Sequence, residues 1–140
     1  MCASMSSIRV KSVHCMEDVA PFEVEGIEYI SVWQWLACDK ALSVSDVRGF
    51  MILRRSKPLE CKTLLNHIHA PRWDMFAALK KVAKHKGQFV PNAMYMVEDR
   101  VVGTGVTPAQ LAHGILPTGL NLWGKALSTL QEETVPPEKQ

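Results

Sequence analysis

The residues best suited to chemistry lie in one stretch, Val97-Glu98-Asp99-Arg100-Val101-Val102-Gly103-Thr104-Gly105. Two adjacent carboxylates lead into a G-x-G turn. Glycine lets backbone amides come close to an anion, and a carboxylate can order a ribose hydroxyl or stabilise a cation. The same composition also describes a plain surface turn, because acidic residues and glycine are ordinary turn formers. Trp33, Trp35, Trp73 and Trp123 stand at or near expected helix starts, where one edge of a ring can be wet and the other packed. Each is therefore either core or an aromatic wall on which a purine can stack. His67 and His69 share a side on a strand but diverge on a helix, and no third ligand lies nearby. They read as a surface or loop pair, and no metal site is expected. Lys80, Lys81, Lys84 and Lys86 form a basic helix face, either simply solvated or able to meet phosphates.

Several elements must position these residues. In Pro21 to Ile30, PFEVEGIEYI, apolar and acidic residues alternate up to Gly26, which predicts a strand, a tight turn and a small hairpin. From Ser31, a plausible N-cap, Val32, Trp35, Leu36 and Leu42 recur at helical spacing through Ala41. Further helices are expected over Ser45 to Arg54 and from Pro58 through Leu65, proline suiting a first turn. Arg72 to Lys86 is the clearest helix, with Trp73, Phe76, Ala77, Leu79 and Ala83 toward the core and the lysines wet. Its basic end suits the helix dipole, and Gly87 can stop it. Met94 to Val97 is a strand or extended segment, Glu98 to Gly105 a loop, and about Asn121 to Gln131 a last helix. The tail from Gln131 reads as frayed. The fold class is α+β and mostly helical, a single domain with a few short strands.

Composition sets the outer bounds. The chain has 140 residues, of which 47% are hydrophobic and 21% charged, enough for one folded core. The domain is placed at residues 8–133, with 134–140 as a flexible tail. A net charge of +2 exerts no global pull toward nucleic acid or anionic membrane, so any such contact needs a local patch. Cys2, Cys15, Cys38 and Cys61 form no C-x-x-C pair and read as free thiols in a reducing compartment. No apolar run is long enough for a membrane span, nor is there a signal-peptide pattern from Met1 to Ser12, so a cytoplasmic protein is expected.

Five pieces occur in the order found in the NADAR family, over roughly Pro21 to Gln131. PFEVEG matches the family's strand ending in glycine. Ser31-Val32-Trp33-Gln34-Trp35-Leu36-Ala37-Cys38-Asp39-Lys40 resembles its S-V-E-H-Y-x-Q-A-x-K helix, and Trp73-Asp74 its W-[DE] helix opening. Met96-Val97-Glu98-Asp99 with Val102-Gly103-Thr104-Gly105 is similar to its L-V-E…D…W-G-x-G loop. Gly119-Leu120-Asn121-Leu122-Trp123-Gly124-Lys125-Ala126-Leu127 resembles the closing G-x-N-x-x-G-x-x-L helix start, the most specific piece.

The resemblance implies an N-glycosidase that cleaves a C–N bond between a ribose and an amine or base. Some members act on ribosylated pyrimidines, others strip ADP-ribose from guanine in nucleic acid and so undo a DNA-modifying toxin; phages carry divergent members. It implies Glu98 as general base or cation stabiliser, assisted by Asp99, with Trp33 and Trp73 as pocket walls. Gly103, Thr104 and Gly105 would offer amides to ribose or phosphate, Gly119 would also bind the ligand, and Asn121 and Lys40 would orient it. The partner would be an ADP-ribose-containing small molecule or ADP-ribosylated nucleic acid, with no metal or redox cofactor. The sequence departs from the family pattern where the helix glutamate falls on Trp33, the following glutamine on Ala37 and the loop tryptophan on Val102. The L-S-N-F element is not recognisable in His14 to Glu17. The chemistry then falls to Glu98 or Asp99, to a displaced acid such as Glu28, or the domain only binds an ADP-ribose- or NAD-type ligand.

Overall fold

The alternating stretch after Pro21 folds into the expected hairpin, β1 (Phe22–Val24) and β2 (Ile27–Tyr29), with Phe22 opposite Tyr29 and Val24 opposite Ile27. Its turn residues, Glu25 at φ 53° and Gly26 at φ 82°, both lie in the left-handed region. That pairing gives a two-residue turn whose twist matches the strands it joins. This computed structural model describes residues 15–86 and 93–134. Gly87, Cys2 and the end of the tail, 135–140, lie outside them, as does the proposed start of the domain at residue 8.

Helix α1 (Val32–Ser43) begins where Ser31 predicts, its hydroxyl accepting the Gln34 N–H at 3.1 Å. Gln34 returns the favour: its side-chain oxygen accepts the Ile30 N–H at 2.8 Å, and its amide nitrogen donates to the Leu53 carbonyl at 3.1 Å. Only 2% of Gln34 is exposed, so an unsatisfied amide there would cost about 1–3 kcal/mol. One buried side chain thereby ties the end of the hairpin to α1 and to α2 (Val47–Leu53). Helix α3 (Pro58–Leu65) opens on proline, with the Glu60 carboxylate accepting the Lys57 N–H at 2.8 Å.

Helix α4 starts later than predicted, at Met75, and runs to Lys86. Its buried residues are Ala78, Leu79, Val82 and Ala83, whereas Ala77 is exposed. The apolar stripe is therefore rotated from the one read in sequence, because α1 and the later helix over Leu122–Thr134 both pack on it. Lys86 is not wet. Its Nζ donates to the Ala20 carbonyl at 3.3 Å and lies 4.4 Å from the Phe22 ring centroid, and burial pushes its pKa down.

Residues 93–96 belong to no strand, and a short helix not foreseen in sequence, α5 (Pro108–Ala112), follows the glycine loop. Its signal was legible in Thr107-Pro108-Ala109-Gln110: Thr107 accepts the Gln110 N–H while the Gln110 side chain accepts the Thr107 N–H, with proline in the first turn. Helix α6 (Leu122–Thr134) continues through Gln131, so helix replaces the frayed tail expected there. The core is continuous from Val24 and Tyr29 through α1 to Leu79 and Val82 of α4 and Trp123, Ala126 and Leu127 of α6. The architecture is α+β and mostly helical, six helices with one two-stranded sheet among the described residues. No helix among them is long and apolar enough to cross a membrane.

Cys38 and Cys61 are free and fully buried, whereas Cys15 is disulfide-bonded, which corrects the expectation of four free thiols. Irregular spacing does not say which sulfurs meet in space. Burial, then the neighbouring Cys61, pushes the Cys38 thiol up from an ordinary 9.0 to about 12, and burial raises Cys61 to about 11. Both are therefore neutral at pH 7. Because their folded values exceed the unfolded ones, their contribution is whole below about pH 9 and is lost as pH climbs through 11 to 12. We expect urea midpoints to fall between pH 9 and 11, and to fall less in a Cys38→Ala variant. A parallel decline in the two proteins would contradict this account.

Candidate functional site

Four separate parts of the chain converge on a cleft of about 200 Å³ lined by Glu17, Trp33, Lys62, Tyr95, Glu98, Asp99 and neighbours. Trp33 comes from the first turn of α1, and Lys62 from α3. Tyr95, Glu98 and Asp99 come from the segment after α4, and Glu17 from the segment before β1. The expected catalytic pair and one expected aromatic wall are thus together. Glu17, Lys62, Tyr95 and Thr107 were not foreseen, for no local pattern marks a side chain whose partners lie tens of residues away.

Asp99 organises the loop. Its Oδ1 accepts the amides of Val101 at 2.8 Å and Val102 at 3.0 Å, while its Oδ2 lies 2.9 Å from Lys62 Nζ. Burial alone would push this carboxyl up. The hydrogen bond from Lys62, the two amides and the lysine charge outweigh burial and hold it below the ordinary carboxylate value. Lys62 also lies 5.2 Å from the Trp33 ring centroid, so one cation joins the acidic loop to the aromatic wall. Since the folded value is depressed, the Asp99 contribution to stability is present above the unfolded value near 3.9 and is lost as pH falls through the lower folded one. In Lys62→Met the Asp99 pKa should rise, read by carboxyl NMR titration, and the loss of stability between pH 7 and pH 3 should be smaller than in the native chain. An unmoved Asp99 titration would contradict the assignment.

Glu98 stands exposed at the cleft, accepting a long hydrogen bond of 3.5 Å from Gln110 Nε2 of α5. Tyr95, 4% exposed, accepts the Met16 N–H at 3.0 Å and donates to Cys15 Sγ at 3.6 Å; burial pushes its hydroxyl pKa up. The displaced acid considered in sequence, Glu28, is on β2, exposed and opposite Glu23, and does not line the cleft.

The other expected ligand-binding residues are placed elsewhere or are engaged internally. The amide of Thr104 donates to the Tyr95 carbonyl at 2.9 Å and that of Gly105 to the Val97 carbonyl at 3.0 Å, so neither is directed at a phosphate. The Thr104 hydroxyl, in a residue 2% exposed, donates to the Val106 carbonyl at 3.0 Å. Glycine at 103 has a packing cause instead: a Cβ there would meet the Val97 side chain and lie 2.9 Å from the carbonyl oxygens of Asp99 and Tyr95. At Gly119 a Cβ would meet the Gly103 carbonyl and lie 2.6 Å from the Thr104 carbonyl carbon. Asn121, at φ 52°, accepts the Tyr95 N–H on Oδ1 at 2.8 Å and donates from Nδ2 to the Ala93 carbonyl at 3.0 Å. It clamps the segment that carries Tyr95 rather than lining the cleft.

Trp73 and Lys40 belong to another part of the surface. Trp73 Nε1 donates to Asp39 Oδ2 at 2.9 Å in a separate, open groove between α1 and the start of α4. Lys40 Nζ donates to the Leu65 carbonyl at the end of α3 at 2.9 Å and lies 5.4 Å from the Trp73 ring centroid. The helical register of α1 separates Trp33 from Lys40 by about two turns, which is why both cannot serve the same small cleft. His67 and His69 are exposed in the turn and irregular chain after α3, and no cluster of metal-ligating side chains occurs among the described residues.

No family model matches the chain, and no curated protein matches it.

Proposed function

We propose that the protein is a divergent NADAR-type N-glycosidase that removes ADP-ribose from a modified nucleobase, ADP-ribosyl-guanine in nucleic acid, countering a DNA-modifying toxin. One observation carries the reading: Glu98, Asp99 and Trp33, which the motif order assigns to one site, line a single cleft. Cleavage of an anomeric C–N bond passes through a cationic, oxocarbenium-like ribosyl group, which a fixed carboxylate stabilises. Glu98 fills that role, being at the mouth of the cleft and free of any cationic partner at ion-pair distance among the described residues. Asp99 assists indirectly by holding the loop and the Lys62 ammonium in place. A volume of about 200 Å³ lies below the roughly 300–1,000 Å³ of pockets that enclose a whole drug-sized ligand. It suits a ribose with part of its base, while the diphosphate and adenosine extend along the surface.

The direct test is incubation with ADP-ribosylated DNA and measurement of released ADP-ribose. Intact modified DNA after long exposure to excess protein would refute hydrolysis. A second reading, a binding module that sequesters ADP-ribose or NAD-type ligands, is favoured by the presence of Trp33 where the family carries its helix glutamate. Calorimetric titration separates the two: tight ADP-ribose binding without turnover, unchanged in Glu98→Gln, supports sequestration.

A further inference from the structure

We infer that the open groove beside Trp73 is a second binding site, which takes an unpaired base and its flanking phosphates from single-stranded nucleic acid. The inference goes beyond the N-glycosidase reading and does not depend on it, because the groove is distinct from the cleft of Glu98 and Asp99. It encloses about 620 Å³ and is lined by Asp39, Arg72, Trp73, Asp74, Ala77, Lys81 and neighbours. That volume lies within the roughly 300–1,000 Å³ of sites that hold a small organic body.

The groove has a fixed aromatic wall. Trp73 is half-buried, its Nε1 donates to Asp39 Oδ2 at 2.9 Å, and Lys40 Nζ stands 5.4 Å from the ring centroid. Held at its polar edge by α1, the ring keeps its orientation before any ligand arrives, so stacking on it costs little ordering. Both carboxylates that line the groove have tasks within the protein. Asp39 holds the ring, and Asp74 Oδ1 accepts the Ala77 N–H at 3.2 Å at the start of α4.

Cations decide what the ring can stack on. Arg72 and Lys81 line the groove and are exposed. Lys84, three residues beyond Lys81 and on the same side of α4, is exposed as well. Among the described residues no carboxylate lies at ion-pair distance from any of the three. Helix α4, MFAALKKVAKHK, has four lysines and no acidic residue, so no charge on the helix offsets theirs. The whole chain carries only +2, so attraction to phosphate is local to this face. An aromatic platform flanked by cations suits unpaired bases, which stack on the ring while the cations follow the backbone. In a duplex each base is stacked between its neighbours and offers the tryptophan no face, which selects the single strand.

The experiment is fluorescence anisotropy of a labelled, unmodified oligothymidylate of about twelve nucleotides, titrated with the full chain over a range of salt concentrations. Binding should be saturable and weaken with salt. Arg72→Ala combined with Lys81→Ala should lower affinity at least about tenfold and flatten the slope of log K against log salt by about 1.4, the value for two phosphate contacts on a single strand. The control pair Arg55→Ala with Lys57→Ala removes the same charge between α2 and α3, outside the groove, and should stay within about twofold of native. Trp73→Phe keeps a ring at the site and should remove most of the oligonucleotide's quenching of tryptophan emission, the other three tryptophans serving as reference. No saturable binding by the native chain, an equal loss in the control pair, unchanged quenching in Trp73→Phe, or tighter binding of the matching duplex overturns the assignment. Displacement of the oligonucleotide by thymidine monophosphate at equal nucleotide concentration also overturns it, since the occupant is then a free nucleotide. None of these results bears on release of ADP-ribose, so this inference and the N-glycosidase reading fail separately.

Discussion

On the proposed N-glycosidase reading, Glu98→Gln is expected to lower the rate of ADP-ribose release by on the order of 10²–10⁴-fold, with the loss in kcat and in kcat/KM rather than in KM. The substitution keeps the shape of the side chain and removes only its charge. On that reading, what disappears is attraction to the cationic ribosyl group, which exists in the transition state and hardly at all in the bound substrate. Folding should be nearly untouched. Glu98 is exposed, and its hydrogen bond from Gln110 is long, at 3.5 Å. Exposed polar substitutions of this kind usually change stability by no more than about 0.5 kcal/mol. Steady-state kinetics on modified DNA, together with thermal melts of both proteins, check both halves. A variant that melts normally and turns over within about threefold of the native rate would remove Glu98 from the chemistry and leave the cleft without its assigned cation stabiliser.

Trp123→Ala should damage the core severely, costing about 3–5 kcal/mol of stability. Trp123 is 0% exposed and lies in the core with Leu79, Val82, Ala126 and Leu127. Its truncation opens the interface of α4 with α6, and neighbouring backbone can collapse only partly into the space. For a domain of this size the cost corresponds to a fall in Tm on the order of 10–20 °C. The consequence reaches the site because α6 begins there: Trp123 N–H donates to the Val102 carbonyl at 3.0 Å, and Asn121, two residues earlier, clamps Ala93 and Tyr95. If the cleft is the active site as proposed, loosening α6 should therefore lower activity at temperatures where the variant is still folded. Differential scanning calorimetry gives the first quantity and activity well below the new midpoint the second. A Tm drop of only a few degrees would mean that the tryptophan is not the packing centre of this interface.

These two residues also illustrate what could be read before any coordinates. Glu98 drew attention through its neighbours, an acidic pair ahead of G-x-G, and the structure does place it in a cleft with Asp99 and Trp33. Trp123 stood at an expected helix start but could equally have been a pocket wall. Burial settles it as core, because a ring with no exposed surface has no face to offer a ligand. Lys40 and Trp73 matched motif positions, yet their polar atoms meet Leu65 and Asp39 outside the cleft. The resemblance makes Gly103 an amide donor to ribose or phosphate and Gly119 a ligand-binding residue, yet at both positions the missing Cβ makes room for the protein's own atoms.

By itself the sequence determined what is set by neighbours three or four residues away: the Ser31–Gln34 cap, the Glu25–Gly26 turn, proline at the head of α3 and the amphipathic character of α4. These follow from local hydrogen bonding and side-chain periodicity, which act at short range and leave a mark in the order of residues. Only the tertiary structure decided that Glu17 and Lys62 join Glu98 and Asp99, that Asn121 serves the backbone and that α4 turns Ala78 rather than Ala77 inward. Those outcomes depend on how helices pack and on which buried polar groups find partners across the chain. Packing is a property of whole surfaces in contact, and no window of sequence contains it.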